Sequence, residues 1–334
     1  MPDHSHYFES DPDWAHFAAQ NGYSLKSPPY EIPKLDLASN RTAQHVSEGT
    51  WAAEHPLSSV GYESTAATVS ARDGFNIPVK ISRPVTSRAP GDKPLPLLFV
   101  THGGGWVQGT HTTEEAWLLW PLYEHFDFVV LSVEYRLAPD SPAPTYIDDS
   151  WDVLTDVLAR SGELHFDPDR VILAGSSAGA GVAASVSQIA RAENVKIYAV
   201  LLNVPVLCDY RHFPESEYPY TSYEECGGAF FSSGEMRAIW DIVAPEPEGG
   251  LDPKISPLLG NLGGLPYHVI YVAGQDPLRD EAIAYAEKLE KAGGKTSTTV
   301  YQGVPHNFGE FWPLEATQRW WVDIRKHVRE ILER

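Results

Sequence analysis

The stretch "VILAGSSAGAG" at residues 171–181 decides how the rest of the chain is read. Its first half is continuously apolar, as a strand buried on both faces should be, and its second half is a run of small residues suited to opening a helix. Between them Gly175, Ser177 and Gly179 form a G-x-S-x-G pattern that occurs nowhere else in the sequence. In a strand-to-helix context this pattern describes a sharp turn that exposes a serine hydroxyl, with glycines that let the flanking elements approach. Ser177 is therefore expected to be a nucleophile.

Working outward, "LPLLFV" (95–100), "FVVLSV" (128–133), "IYAVLLN" (197–203), "YHVIYVA" (267–273) and "STTVYQ" (297–302) read as further strands. "TVSARDGFNIPVKIS" reads as a hairpin turning at Asp73-Gly74. Helical patterns fall near 114–125, 147–160, 178–192, 280–292 and 315–333, the fourth amphipathic and stopped by a Gly pair. Strand–helix alternation after an initial hairpin predicts an α/β protein with a mostly parallel eight-stranded sheet flanked by helices. At 334 residues the chain suits one large domain with an attached segment.

Composition excludes several classes. With 45 acidic and 25 basic residues the formal charge is −20, which repels phosphate backbones and anionic membrane surfaces, so no nucleic-acid partner is expected. No stretch is apolar enough to span a bilayer, and "MPDHSHYFESDPDW" lacks the basic start and apolar core of a signal peptide. No membrane insertion is expected, and the chain reads as a cytoplasmic protein. Cys208 and Cys226 have neither metal-ligand nor C-x-x-C spacing and are expected to be free thiols. No metal and no cofactor is expected.

A serine hydroxyl is a weak nucleophile at neutral pH and needs a base that a third group orients. In a sheet of this kind both should follow on later strand ends, in the order serine, acid, histidine. "VAGQDPLRD" (272–280) places Asp276 just beyond one strand, and "YQGVPHNF" (301–308) places His306 just beyond the next. Asp280 is the competing carboxylate, but it opens a helix, where an acid also serves as an N-terminal charge.

The run "VTHGGGWVQG" (100–109) spends three consecutive glycines at another strand end despite their entropic cost. Attack on an ester carbonyl develops negative charge on oxygen, which preorganised N–H donors stabilise by about 3–4 kcal/mol each. The Ala178 N–H should be one donor and the bare glycine run should supply the others.

Together, "HGGGW" (102–106), "YRLAPD" (135–140), "GSSAG" (175–179), "DPLRDEAIAYAEKL" (276–289) and "HNF" (306–308) resemble the hormone-sensitive-lipase-like branch of the α/β-hydrolases, carboxylesterases and lipases among them, from about residue 75 onward. The resemblance implies a catalytic Ser177, Asp276 and His306, an oxyanion hole of Gly104, Gly105 and Ala178, and a His102 that braces its loop through the ring nitrogens. It also implies a helical cap made of 1–55 and 205–250 over a catalytic core of 56–204 and 251–334. Trp106, Phe230 and Trp240 are then candidate substrate contacts. Two departures stand out: the family usually has Asp at position 176 and Gly at position 307, where this chain has Ser176 and Asn307.

The expected activity is hydrolysis of small-molecule carboxylic esters, of short to medium acyl or compact aromatic type, through an acyl-enzyme. Acyl transfer, lactone chemistry or cyclisation through the same serine is the alternative. A ligand receptor, as some relatives of the fold are, is disfavoured by the presence of His306. The oligomeric state is left open, a homodimer being one candidate.

Overall fold

A computed structural model describes residues 3–23, 32–85, 93–226 and 231–334. Its strands are β1 Tyr62–Ser70, β2 Asn76–Pro84, β3 Leu95–Thr101, β4 Val129–Val133, β5 Phe166–Ser176, β6 Ala199–Asn203, β7 Tyr267–Gln275 and β8 Thr296–Pro305. They form one eight-stranded sheet in the order β1-β2-β4-β3-β5-β6-β7-β8. β1 and β2 are the expected antiparallel hairpin, β2 runs antiparallel to β4, and β3 to β8 are all parallel. Gly74, at φ +86°, supplies the left-handed residue of the hairpin turn, and the Asp73 carboxylate accepts the Phe75 N–H.

The helices are α1 Pro12–Asn21, α2 Leu37–Glu54, α3 His111–Glu114, α4 Trp120–Tyr123, α5 Thr145–Ala159, α6 Ala178–Ala192, α7 Ser222–Glu225, α8 Ser233–Val243, α9 Arg279–Lys291 and α10 Glu315–Leu332. Alternate residues of the central strands feed opposite cores. Leu97, Phe99, Val171, Leu173, Val200 and Leu202 face one side with α5, α6 and α9. Leu98, Val100, Ile172, Ala174, Leu201 and Val269 face the other with α4 and α10. Full burial of each large aliphatic side chain stabilises the fold by about 1.5–3 kcal/mol, so both faces hold the strand ends rigidly.

Two stretches depart from the sequence reading. The segment expected as one helix near 114–125 is α3 and α4 joined by a π-turn at Glu115–Leu119. Pro121, just beyond that turn, has no N–H to give to an α-helical ladder. The helix α2 falls in the segment expected to be part of a helical cap, but no apolar stripe announces its bounds, since none of its residues is fully buried. Its start is fixed by Asp36, whose side chain accepts the Ser39 N–H at 3.1 Å.

Candidate active site

The serine sits between β5 and α6 at φ 55° and ψ −122°, a conformation that costs a non-glycine residue about 1–3 kcal/mol. Neighbouring glycines make it possible: a Cβ on Gly179 would lie 2.1 Å from the Thr101 carbonyl oxygen, and one on Gly175 2.6 Å from the same atom. The Ser177 N–H donates to the Asn203 carbonyl at 2.8 Å, which pins the elbow to β6.

The register of the last two strands assembles the rest. Gln275 of β7 pairs with Pro305 of β8, so the next residues on the two chains, Asp276 and His306, emerge side by side. His306 Nδ1 lies 2.7 Å from Asp276 Oδ2, and its Nε2 lies 3.0 Å from Ser177 Oγ. The second carboxylate oxygen of Asp276 accepts the Leu278 N–H at 2.9 Å. Asp280 does not reach the histidine. It is ion-paired with Arg279 at 2.8 Å and accepts the backbone N–H groups of Thr221 and Ser222. Burial works to raise its pKa, but hydrogen bonds from His4 and Arg279 outweigh that and hold the carboxyl well below its ordinary range.

The glycine run uses its freedom. Gly104 and Gly105 have φ +111° and +63°, and a Cβ on Gly104 would fall 2.3 Å from the Gln108 carbonyl oxygen. Their N–H groups make no hydrogen bond among the described residues. The Ala178 N–H opens α6, where no intrahelical partner exists. His102 braces the loop with one ring nitrogen rather than two: Nδ1 donates to the Gly103 carbonyl at 2.8 Å, while Nε2 is buried without a partner among the described residues. Burial pushes its pKa down to about 4, which keeps the ring neutral.

Glu114 is a participant that sequence reading missed. Fully buried, it accepts the Ser176 hydroxyl at 2.6 Å and the Gly103 N–H at 3.2 Å, so one carboxyl ties the nucleophile strand to the oxyanion loop. The Asn203 amide donates to the same hydroxyl at 3.1 Å. Burial pushes the Glu114 carboxyl up to about 8. A buried carboxyl thus stands beside position 176 even though Ser replaces the Asp usual there. Asn307, the other departure, adopts φ 53°, a left-handed conformation that Gly takes freely and Asn tolerates.

A cavity of about 210 Å³ opens onto Ser177 and His306, walled among others by Leu35, Trp117, Phe231, Met236 and Ile239. Two of the expected substrate contacts do not line it. The Trp106 indole N–H donates to the Ala178 carbonyl at 3.1 Å, and its ring packs on Tyr146 and Trp240, so both tryptophans are core beneath the elbow. Phe230 lies outside the described residues; its neighbour Phe231 stands 4.8 Å from the His306 ring. No trio of His, Cys, Asp or Glu able to hold a metal occurs among the described residues.

A hydroxyl, a base in reach of it, a carboxylate behind the base and free N–H donors opposite can activate the serine and hold an oxyanion. Fold and site together define a serine hydrolase. Residues 98–310 match the family described as alpha/beta hydrolase fold, and the chain belongs to that family, in its hormone-sensitive-lipase-like branch. It is 33% identical over 236 residues to an AB hydrolase superfamily protein of Schizosaccharomyces pombe, covering 69% of this chain and 67% of the relative. It is 29% identical to an ethyl acetate hydrolase of Pseudomonas putida, covering 72% and 74%. Among solved structures it resembles EstE1, a thermostable carboxylesterase from a metagenomic library, with TM-score 0.76, 29% identity and coverage of 89% and 98%.

Proposed function

We propose that this carboxylic ester hydrolase works through an acyl-enzyme on Ser177 and takes esters of short to medium acyl chains or compact aromatic metabolites. The observation that carries the reading is the chain of contacts from Asp276 through His306 to Ser177 Oγ, at 2.7 and 3.0 Å. His306 Nε2 takes the serine proton as Oγ attacks the carbonyl carbon, and returns it to the departing alkoxide. Gly104, Gly105 and Ala178 hold the oxyanion. Water then enters, gives its proton to His306, and releases the acid.

Leu35, Leu37 and Asn40 from the N-terminal segment, and Phe231, Met236 and Ile239 from the 205–250 insertion, line the cavity together with core residues. This supports reading 1–55 and 205–250 as a cap over a core of 56–204 and 251–334. The small volume supports compact substrates, and the relatives' names favour hydrolysis over transfer or cyclisation. Cys208 and Cys226 are both buried free thiols, which fits a reducing, cytoplasmic setting. No helix among the described residues is long and apolar enough to cross a membrane.

The test is a panel of p-nitrophenyl esters of rising chain length beside a fluorophosphonate probe. Turnover and labelling should both vanish in Ser177→Ala, and mass spectrometry with added alcohol should find free acid as the main product. Labelling that persists in Ser177→Ala overturns the assignment.

A further inference from the structure

Behind Trp117 lies a second cavity, of about 310 Å³, that the reaction above does not use. Trp117 lines both cavities, and its ring lies against the oxyanion loop: a Cβ on Gly103 would fall 2.4 Å from Cζ3 of the indole. The helix α2 also runs along both. Leu37 and Asn40 face the catalytic cavity, while Gln44, Ser47, Glu48 and Trp51, on the same helical face, face the second one. From Asn40 to Glu48 is about 12 Å of helix rise, the reach of an extended substrate arm.

The lining of the second cavity is unusual in its charge. Three indoles, Trp51, Trp117 and Trp312, stand with two carboxylates, Glu48 and Glu310, and no Lys or Arg is among them. Glu48 is already engaged, accepting from Gln44, Thr110 and Thr113. The Glu310 carboxyl makes no hydrogen bond and no ion pair among the described residues; only its backbone N–H is engaged, donating to the Asn307 carbonyl at 3.0 Å. Lining the cavity four positions after His306, it is a carboxyl with an open coordination shell in an aromatic box.

We propose that this cavity is a subsite for an organic cation, an alkylammonium group carried on one arm of the ester substrate. The proposal rests on the ester-hydrolase reading. An ammonium head gains from both components of the lining, the π-systems of the indoles and the unpaired carboxylate. A neutral arm leaves Glu310 without a partner, and an anionic arm meets the Glu48 carboxylate and, once Glu310 ionises, a second like charge. The chain's net charge of −20 draws cations toward the protein in the first place. Burial alone pushes the Glu310 carboxyl up to about 8, so near neutrality it is largely protonated and a bound cation draws the proton off. The other titratable groups facing this box are Glu48 in the lining and His55, whose ring meets Trp312 edge-on at 5.0 Å. Binding should tighten as pH rises toward the Glu310 ionisation.

Two isosteric pairs test it. On the acyl side, p-nitrophenyl 6-(trimethylammonio)hexanoate is compared with p-nitrophenyl 7,7-dimethyloctanoate. On the alcohol side, the acetate of 6-(trimethylammonio)hexanol is compared with that of 7,7-dimethyloctanol. In one of the pairs the cationic ester should be preferred by about tenfold in kcat/KM, and Glu310→Gln or Trp312→Leu should bring that ratio toward one. Equal kcat/KM within both pairs, or a preference undiminished in Glu310→Gln, overturns the subsite while p-nitrophenyl acetate turnover leaves the hydrolase reading intact. No turnover of p-nitrophenyl acetate instead strikes the hydrolase reading. Then tetramethylammonium, titrated against the tryptophan fluorescence of Ser177→Ala, decides the subsite alone: saturable quenching lost in the added Glu310→Gln change supports it, and no quenching overturns it.

Discussion

Replacing Glu114 should separate two opposing contributions of one buried carboxyl. In Glu114→Ala the Ser176 hydroxyl loses its 2.6 Å acceptor and the Gly103 N–H its 3.2 Å acceptor, both in the interior. Each buried group left unsatisfied costs about 1–3 kcal/mol, so the Ala variant should lose about 2–6 kcal/mol, with a cavity adding to the loss. Glu114→Gln keeps an acceptor for Gly103 and a donor toward Ser176, but cannot ionise. The wild-type carboxyl has its pKa raised by burial from 4.5 to about 8. A raised acid pKa means that the folded state holds the proton more tightly. Its contribution is therefore fully present below about pH 4.5 and is lost as pH climbs to about 8, at about 1.4 kcal/mol per unit. Across that window wild type should lose about 3–5 kcal/mol relative to Glu114→Gln. Chemical denaturation of wild type, Glu114→Gln and Glu114→Ala at several pH values between 5 and 9 measures both terms. A Gln variant whose stability falls with pH in parallel with wild type, or an Ala variant as stable as either, would refute this account of the bridge.

Ser177→Ala and His306→Ala should each lower turnover by about a millionfold, and Asp276→Asn by about ten-thousandfold, with the fold retained by circular dichroism. Full activity in Asp276→Asn would remove the acid from the scheme. Gly104→Ala should cost about 100- to 1,000-fold in kcat, because its Cβ collides with the Gln108 carbonyl 2.3 Å away and displaces the donor; wild-type kcat would dismiss that donor. On the cap side, Ile239→Ala should shift the ester-length preference toward longer chains, whereas fully buried Trp240→Ala should lower stability by about 3–5 kcal/mol with little change in that preference. The reverse pattern in chain-length assays and melts would return Trp240 to the substrate pocket. A chelator should change nothing; an activity lost in EDTA and restored by zinc would require a different chemistry.

Short windows of the chain encode the elements and the elbow. Continuous apolarity marks β3, β5, β6 and β7 because strands buried on both faces tolerate few polar residues, and the small residues around Ser177 mark the elbow because nothing larger fits. The order of strand ends then singled out Asp276 and His306, since chain direction in a parallel sheet fixes which loops meet. Tertiary structure alone decided the rest. The competition between Asp276 and Asp280 turned on the pairing of Gln275 with Pro305 and on the Arg279 ion pair. Glu114 meets Ser176 across 62 residues of sequence, and no local pattern records such a meeting. Trp106 and Trp240 are aromatic in any reading; only packing shows them as core beneath the elbow rather than walls of the cavity. The helix α2 carries no buried stripe, so its place along two cavities is set by what it touches rather than by its own periodicity. Turn chemistry and strand burial act over a few residues and can be read along the chain, whereas side-chain pairing depends on the finished packing of segments far apart in it.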